Sequence, residues 1–151
     1  MQLSIQDPVF GTLHSGRYYP LEYKGQVVFR SSELALVAFN WDELTDEQGN
    51  LNEEDVRASL TKTHDVYVRF QEQEPVLRHT VADRVYGGDW IPPEDTPREE
   101  FTFNQFLSTM RLHSILFHEH LIFSVVYDFG ELFGGHLSHE YLNEDFTLAH
   151  P

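Results

Sequence analysis

The sequence contains no cysteine, so disulfide bonds, thiolate metal sites and cysteine nucleophiles are all excluded. Long hydrophobic runs are absent too: the longest uncharged apolar stretch, residues 121–127, is far shorter than the ~20 residues of a membrane-spanning helix. The first residues have neither the basic nor the apolar segment of a secretory signal. These absences together predict a soluble, cytoplasmic protein.

Positively charged residues are scarce, since 10 Lys and Arg stand against 25 Asp and Glu and give a net charge of −15. Such a surface repels phosphate backbones, so we do not expect it to bind nucleic acid directly. It suits a basic protein partner, because complementary charge speeds encounter and selects partners. The same charge also serves plain solubility, and both interpretations stay open at this point.

The composition is that of a folded protein, with 40% hydrophobic and 14% aromatic residues. At 151 residues the chain predicts a single domain, residues 1–151, whose core needs neither a disulfide nor a metal. The order of the patterns predicts an α+β fold without the βαβ alternation of a parallel sheet. It consists of an N-terminal antiparallel β-meander, two to four central helices, and a C-terminal antiparallel hairpin plus a further strand.

Strands are predicted where apolar residues alternate and glycines supply the turns. Residues 9–29 show this pattern and form the expected meander. Pro20 has no amide hydrogen to donate to a neighbouring strand, which places its strand at an edge of the sheet. Alternation over residues 115–117 and 123–127 predicts the C-terminal hairpin, and a last strand is expected over residues 136–142.

Two helix starts are marked by capping signals. Leu51 and Val56 occupy the staple positions around Asn52, and three acids follow in the first turn, where the helix dipole favours them. Thr102 and Gln105 have the spacing of a capping box at the start of a second helix. This second helix is the best specified element of the chain.

Other helical segments are less well marked. Residues 32–43 fit either an amphipathic helix or a buried strand, and we favour the helix. Pro75 lacks an amide hydrogen, so we expect it to break or restart the first helix. Gly87 and Gly88 are expected to end the helical pattern.

Histidine is concentrated near the C-terminus, since six of the nine lie in residues 112–151, which contain no Lys or Arg. Imidazoles are common zinc ligands, and a catalytic zinc site keeps one position open for water. The spacing is not diagnostic, so we predict neither a metal nor another cofactor. A metal-dependent hydrolase or metal-binding module is kept as an alternative, with the ligands His118, His120, His136 and His139.

Catalytic motifs are missing, because the sequence has no Gly-x-Ser-x-Gly, P-loop or Gly-x-Gly-x-x-Gly pattern. Asp128-Phe129-Gly130 matches the magnesium motif of protein kinases, but the chain is too short for a kinase and lacks the other kinase motifs. No set of residues meets the requirements of an active site. We therefore assign no catalytic residues and treat enzymatic activity as the less favoured hypothesis.

Acidic residues cluster in residues 42–55, which hold seven acids and no Lys or Arg. With Gly49 at the glycine position of a calcium loop, Leu44 falls where the first carboxylate is required, so this segment does not match a calcium site. The segment is either a solvated linker or a patch that faces a partner. The two tryptophans are either aromatic anchors of an interface or core residues. The residues that we expect to contact a partner are Trp41, Asp42, Glu43, Asp46, Glu47, Trp90, Glu94, Asp95, Glu99 and Glu100.

The most distinctive stretch is residues 127–136, where a strand leads into a glycine-bracketed aromatic turn that stops on a histidine. Glycine allows backbone conformations that are closed to other residues, and the aromatic side chains beside it are expected to fill the core. We therefore predict a role in the fold, rather than in chemistry, for Asp128, Gly130, Phe133, Gly135 and His136.

The same turn carries a family resemblance. Gly130-Glu131-Leu132-Phe133 followed by Gly135-His136, together with the N-terminal Asp7-Pro8-Val9-Phe10-Gly11-Thr12-Leu13, resembles a family of small bacterial domains of unknown function. That family has a C-terminal acidic-Gly…Phe-x-Gly-His signature. Its genes often lie in toxin–immunity neighbourhoods, so the resemblance implies a protein that binds and blocks a toxin. It implies no catalytic residues.

The leading hypothesis is therefore an acidic bacterial protein of immunity type that neutralises a partner such as a basic toxin domain. The first alternative is the metal-dependent hydrolase or metal-binding module described above. The second is a structural subunit of a larger assembly, which would use the aromatic-rich C-terminal sheet as its contact surface.

Overall fold

The computed structural model describes residues 4–16, 19, 21–29, 33–88, 102–118, 123–130 and 137–149. These residues form an α+β fold with a C-terminal hairpin and a further strand, as predicted. The N-terminal meander is matched in part, because the antiparallel strands start at residue 4 and continue to residue 40 instead of covering residues 9–29 alone. The described part contains two helices. The elements are β1 (Ser4–Asp7), β2 (Gly11–Ser15), β3 (Glu22–Phe29), β4 (Glu33–Asn40), α1 (Glu53–Gly87), α2 (Phe103–Thr109), β5 (Arg111–Phe117), β6 (Phe123–Asp128) and β7 (Leu137–Leu142).

The strands β1 to β7 form one sheet in chain order. Neighbouring strands are antiparallel except β4 and β5, which are parallel. Parallel neighbours need a long crossover connection, and α1 and α2 lie in that connection. The sheet therefore contains a βαβ crossover at its centre, where the order of the sequence patterns predicted none.

Helix α1 begins at its predicted cap, because the Oδ1 atom of Asn52 accepts a hydrogen bond from the Asp55 amide at 3.2 Å. It ends at Gly87, and the Gly88 amide donates to the Val85 carbonyl at 3.2 Å. Of the described helices, neither is long and apolar enough to cross a membrane. The buried side chains of α1 lie at helical spacing; they are Val56, Leu60, Thr63, Tyr67, Phe70, Glu74, Leu77, Val81 and Ala82.

The expectation that Pro75 breaks the first helix is wrong, because α1 continues through it. A proline inside a helix costs roughly 3 kcal/mol, since it lacks an amide hydrogen and crowds the preceding turn. Its neighbours Glu74 and Leu77 are 0% and 3% exposed. Packing of the helix against the sheet on both sides of Pro75 therefore offsets this cost.

The favoured helix over residues 32–43 is also wrong, because β4 occupies most of that segment. Val37 and Phe39 are buried, whereas Leu34 and Leu36 are 65% and 38% exposed. Apolar residues on both faces of the strand hide its two-residue period from the sequence. The long apolar run therefore looked equally compatible with a helix.

The strand after Pro20 is not at an edge, since β3 lies between β2 and β4. It begins at Glu22, and Pro20 itself lies outside the described residues. The capping box of α2 is present as predicted: the Gln105 amide donates to Thr102 Oγ1 at 3.2 Å, and the Thr102 amide donates to Gln105 Oε1 at 2.8 Å.

The register gives the sheet two faces, because side chains alternate along each strand. One face lies against α1 and is rich in stacked aromatic rings; Phe39 lies 4.9 Å from Phe117, and Phe70 of the helix lies 5.0 Å from Phe123. The alternate strand residues form the other face, which we call the outer face. It runs from Gln6 in β1 to Tyr141 in β7.

Candidate binding site

A cavity of about 550 Å³ lies where the ends of β4 and β5 meet the first turns of α1. Aromatic side chains of the core, among them Phe39, Trp41 and Phe117, form part of its wall. A cavity of this size can hold a small ligand or an anchoring side chain of a partner. We call it the edge cavity, and its described polar lining consists of Asn40, Asp55, Ser59, Lys62, Thr63 and His118.

Residues 42–55, which we call the acidic segment, form a hydrogen-bonded turn beside the edge cavity and lead into α1. The Oδ1 atom of Asp46 accepts hydrogen bonds from the amides of Gln48 and Asn50, both at 2.9 Å. The Asn52 amide donates to the Leu44 carbonyl at 2.9 Å, which closes the turn. These bonds hold the backbone of the segment in one shape.

The predicted partner-binding acids in this segment are Asp42, Glu43, Asp46 and Glu47, and all of them are exposed. Because the segment contains no Lys or Arg, its negative charge is not balanced within it. Asp55, at its end, also lines the edge cavity. The structure thus places an exposed negative patch next to an aromatic-walled cavity, while contact of these acids with a partner stays a prediction.

Trp41 lies in the core and is 2% exposed. Its ring lies 4.9 Å from that of Tyr23 and stacks on Phe39 at 5.3 Å. Of the two interpretations of this tryptophan, the structure matches core packing. The other predicted partner-binding residues lie outside the described residues: Trp90, Glu94, Asp95, Glu99 and Glu100.

Two of the four candidate metal ligands, His118 and His139, meet at Ser124 on the outer face. Their Nε2 atoms lie 3.2 Å and 3.0 Å from the Oγ atom of this serine, which is fully buried. A hydroxyl group can donate one hydrogen bond and accept others, so Ser124 can serve both rings. Partial burial, and then the nearby charge of His139, lower the pKa of His118 and favour its neutral form.

The other two candidate ligands, His120 and His136, lie outside the described residues. Within the part of the chain that the structure describes, no cluster of three or more His, Cys, Asp or Glu side chains is arranged to hold a metal ion. The described residues therefore bring two imidazoles together around a serine but give the metal-site alternative no further support.

The predicted turn motif is described at its start, where Asp128 and Gly130 follow β6. The Gly130 amide donates to Asp128 Oδ1 at 2.7 Å, and Gly130 has a φ of 84°, a conformation that favours glycine. Phe129 between them is buried and stacks on Phe106 of α2 at 5.3 Å. The remaining motif residues lie outside the described residues: Phe133, Gly135 and His136.

An ion network between α1 and the sheet was not predicted from the sequence. The Nε atom of Arg78 donates to Glu74 at 2.6 Å, and its two Nη atoms donate to the two oxygens of Glu33 at 2.8 Å each. The Leu112 amide also donates to Glu33, at 3.0 Å, and the Tyr127 hydroxyl donates to Glu74 at 3.0 Å. The network ties α1 to β4, β5 and β6.

The network stabilises the charged form of Arg78 and the neutral form of Tyr127. Burial alone would lower the pKa of Arg78, but its hydrogen bonds with Glu33 and the charge of Glu74 raise that pKa above its ordinary value. Burial and the charge of Glu74 raise the pKa of Tyr127 well above its ordinary value. Both side chains therefore keep their usual protonation at neutral pH. The i, i+4 spacing of Glu74 and Arg78 is the signal in the sequence that could have suggested part of this network.

A family model covers most of the chain. The model of DUF2262, described as an uncharacterized protein conserved in bacteria, matches residues 7–149. The chain belongs to this family. Membership in DUF2262 confirms the resemblance to a bacterial domain of unknown function, and the matched region includes both the acidic segment and the edge cavity. No curated protein and no solved structure shows a significant match to the chain.

Proposed function

We propose that this DUF2262 protein is a binding module that holds a basic protein partner at its acidic segment and edge cavity. In its specific form, the proposal is an immunity-type protein that neutralises a toxin by covering the toxin's active site. The observation that carries the proposal is the concentration of exposed acids beside an aromatic-walled cavity of about 550 Å³.

The acidic segment supplies the electrostatic part of recognition. At physiological salt the Debye length is about 8 Å, so its neighbouring carboxylates act on a partner as one negative field. Such a field raises association rates by roughly 10- to 1,000-fold and disfavours acidic partners. Because the backbone of the segment is already hydrogen-bonded, little conformational entropy is lost when a partner binds.

The edge cavity supplies an anchor point. Interfaces draw most of their energy from a few side chains that fill pockets, and arginine is frequent among them. An arginine of the partner would lay its methylene groups on the aromatic wall near Phe117 and pair its guanidinium with Asp55. This geometry also suits a toxin that acts on nucleic acid, because such a toxin presents arginines and lysines around its active site.

The test begins by sequencing the DNA that flanks the gene for this chain, where the immunity form of the proposal predicts a toxin. The terminal domain of that toxin is then purified as the partner. Asp42→Asn, Glu47→Gln and Glu54→Gln are combined in one variant, which leaves the turn-bracing Asp46 intact. The association rate constant is measured by stopped-flow fluorescence at several salt concentrations. We expect association at low salt to slow by about 10-fold or more and its salt dependence to weaken.

The control removes the same charge elsewhere on the surface, by Asp65→Asn, Glu72→Gln and Glu144→Gln, all of which are exposed residues outside the acidic segment. This control is expected to lower the rate much less. Equal slowing in both variants would show that only net charge matters and would refute the assigned site. Failure of the neighbouring toxin domain to bind at all would refute the immunity function itself.

The cavity is tested separately by Ser59→Leu, which fills part of it with a side chain that is not charged. We expect faster dissociation with an unchanged association rate, because the anchor is lost but the field is not. An unchanged dissociation rate would exclude the edge cavity from the interface.

A further inference from the structure

The outer face of the sheet concentrates exposed apolar side chains. Nine large hydrophobic residues are exposed in the described part of the chain, and five of them lie on this face. Their exposed fractions range from 38% to 65%, so a large part of each of these residues is accessible to solvent. The five are Val28, Leu34, Leu36, Leu137 and Tyr141.

These side chains form two ridges, one on β3 and β4 and the other on β7. On one side, Val28 pairs directly with Leu34, and Leu36 follows on the same strand. On the other side, β7 carries Leu137 and Tyr141, with the His139 ring stacked on Tyr141 at 4.7 Å. Between the ridges, Ser114 of β5 and Ser124 of β6 are almost fully buried, whereas Leu116 and Val126 are partly exposed.

The described strand positions of the outer face also carry no net formal charge. Its described strand positions carry two acids, Glu22 and Asp128, and two bases, Lys24 and Arg111, so their formal charges cancel. Lys24 and Glu22 form an ion pair at 3.3 Å. The chain as a whole has a net charge of −15. A second molecule with the same charge can therefore approach this face with less repulsion than it would meet elsewhere.

We propose that the outer face is the interface between two copies of this chain, which pack sheet against sheet as a symmetric dimer. A two-fold contact places the same patch on both sides, so apolar ridges meet apolar surface and neutral strands meet neutral strands. The basic partner proposed above is a poor occupant of this face, because the face offers it no negative field.

The available area agrees with a dimer. Seven strands spaced ~4.8 Å apart and about 20 Å long give a face of roughly 600 Å² before the relief of the side chains is counted. A standard protein interface buries about 800 Å² per partner, and sheets that pack face to face lie ~10 Å apart. The acidic segment follows β4 and is not part of the strand positions, so the dimer does not use its carboxylates.

Sedimentation velocity of the full chain, from about 1 to 100 µM, tests the proposal, since a dimer with Kd in this range dissociates across it. The expected species has twice the monomer mass of 17.7 kDa. The double variant Val28→Glu/Leu34→Glu is expected to raise the dissociation constant of the dimer by about 100-fold or more, because it buries like charges at the interface. Circular dichroism confirms that the variant is folded.

Val68→Glu/Val76→Glu is the matched control, because these valines of α1 are 54% and 67% exposed and the charge change is the same. It is expected to leave the dimer unchanged. A wild-type chain that stays monomeric at the highest concentration overturns the proposal. Equal weakening by both double variants also overturns it, since net charge rather than the outer face would then control association.

A second measurement does not depend on weakening the interface. The chain has no cysteine, so a single introduced cysteine carries a spin label at a known position. In a dimer that packs sheet to sheet, labels at Leu36→Cys are expected to lie closer together than labels at Val76→Cys, because the two copies of α1 are on the outside. Pulsed electron paramagnetic resonance measures both separations. The reverse order would place the interface on the helix side and refute the proposal.

Discussion

The ion network under α1 and the acidic segment at the end of β4 both contain carboxylates, but they use this group in opposite ways. In the network, Glu74 is fully buried and is held by Arg78 and Tyr127. In the acidic segment, Asp42 and Glu47 are exposed and no base lies among them. Charge count alone therefore does not locate function in this chain. Buried acids with specific donors hold the fold together, while the exposed cluster is available to a partner.

The largest expected effect is on the buried side of this comparison. Arg78→Ala leaves Glu33 and Glu74 close together without the guanidinium that they share. Removing one member of a buried ion network costs about 3–5 kcal/mol, mainly because the remaining charges stay desolvated. Urea denaturation of the purified variant measures the loss in the free energy of unfolding.

The same helix offers a matched control for this prediction. Arg57 also pairs with a glutamate four residues earlier, Glu53, at 3.0 Å, but both side chains are largely exposed. Arg57→Ala is expected to change the free energy of unfolding by less than about 0.5 kcal/mol. If the two arginine variants lost similar stability, burial would not be what distinguishes the two ion pairs.

An intermediate effect is expected at Asp7, where β1 ends. Its Oδ2 atom accepts hydrogen bonds from the amides of Val9 and Phe10 at 2.9 Å and 2.8 Å, and His64 Nε2 lies 2.8 Å from its Oδ1 atom. Asp7→Ala leaves these donors without their acceptor and is expected to destabilise the fold by about 1–3 kcal/mol. A double-mutant cycle with His64→Gln separates the turn from the link to α1. A cycle energy near zero would show that the interaction between His64 and Asp7 contributes nothing to the free energy of unfolding.

The smallest effect on stability is expected in the acidic segment. The variant with Asp42→Asn, Glu47→Gln and Glu54→Gln should unfold within about 0.5 kcal/mol of wild type, because its changes are on the surface. Asp46→Ala should cost about 1 kcal/mol, since it removes the acceptor of two backbone amides. Thermal denaturation compares both. A large loss in the first variant would mean that the exposed acids are structural after all.

Local signals in the sequence predicted local structure well. The cap at Asn52 and the capping box at Thr102 are both present, because each depends on residues within one helical turn. The resemblance to a bacterial domain of unknown function is also confirmed, because the family model matches residues 7–149. Alternation of apolar residues likewise predicted the C-terminal hairpin and, in part, the N-terminal meander.

Features that depend on distant partners could not be predicted. Arg78 and Glu33 are 45 positions apart, and nothing in either neighbourhood indicates the other. Pro75 is tolerated only because the helix around it is held by the sheet, which a propensity argument does not include. The outer positions of β4 include the apolar residues Leu34 and Leu36, so the sequence of this strand is also compatible with a helix. The edge cavity likewise combines strands and a helix that meet only in the folded chain.

The parallel pairing of β4 with β5 has a consequence for how the chain folds. It divides the sheet into an N-terminal and a C-terminal set of antiparallel strands, and within each set every neighbour is close in sequence. Contacts between residues that are close in sequence form quickly. The pairing of Leu36 with Ser114 instead closes a long loop that contains α1 and α2. Formation of the β4–β5 pairing should therefore be the slow step of folding, and each half of the sheet should already be formed when this pairing occurs.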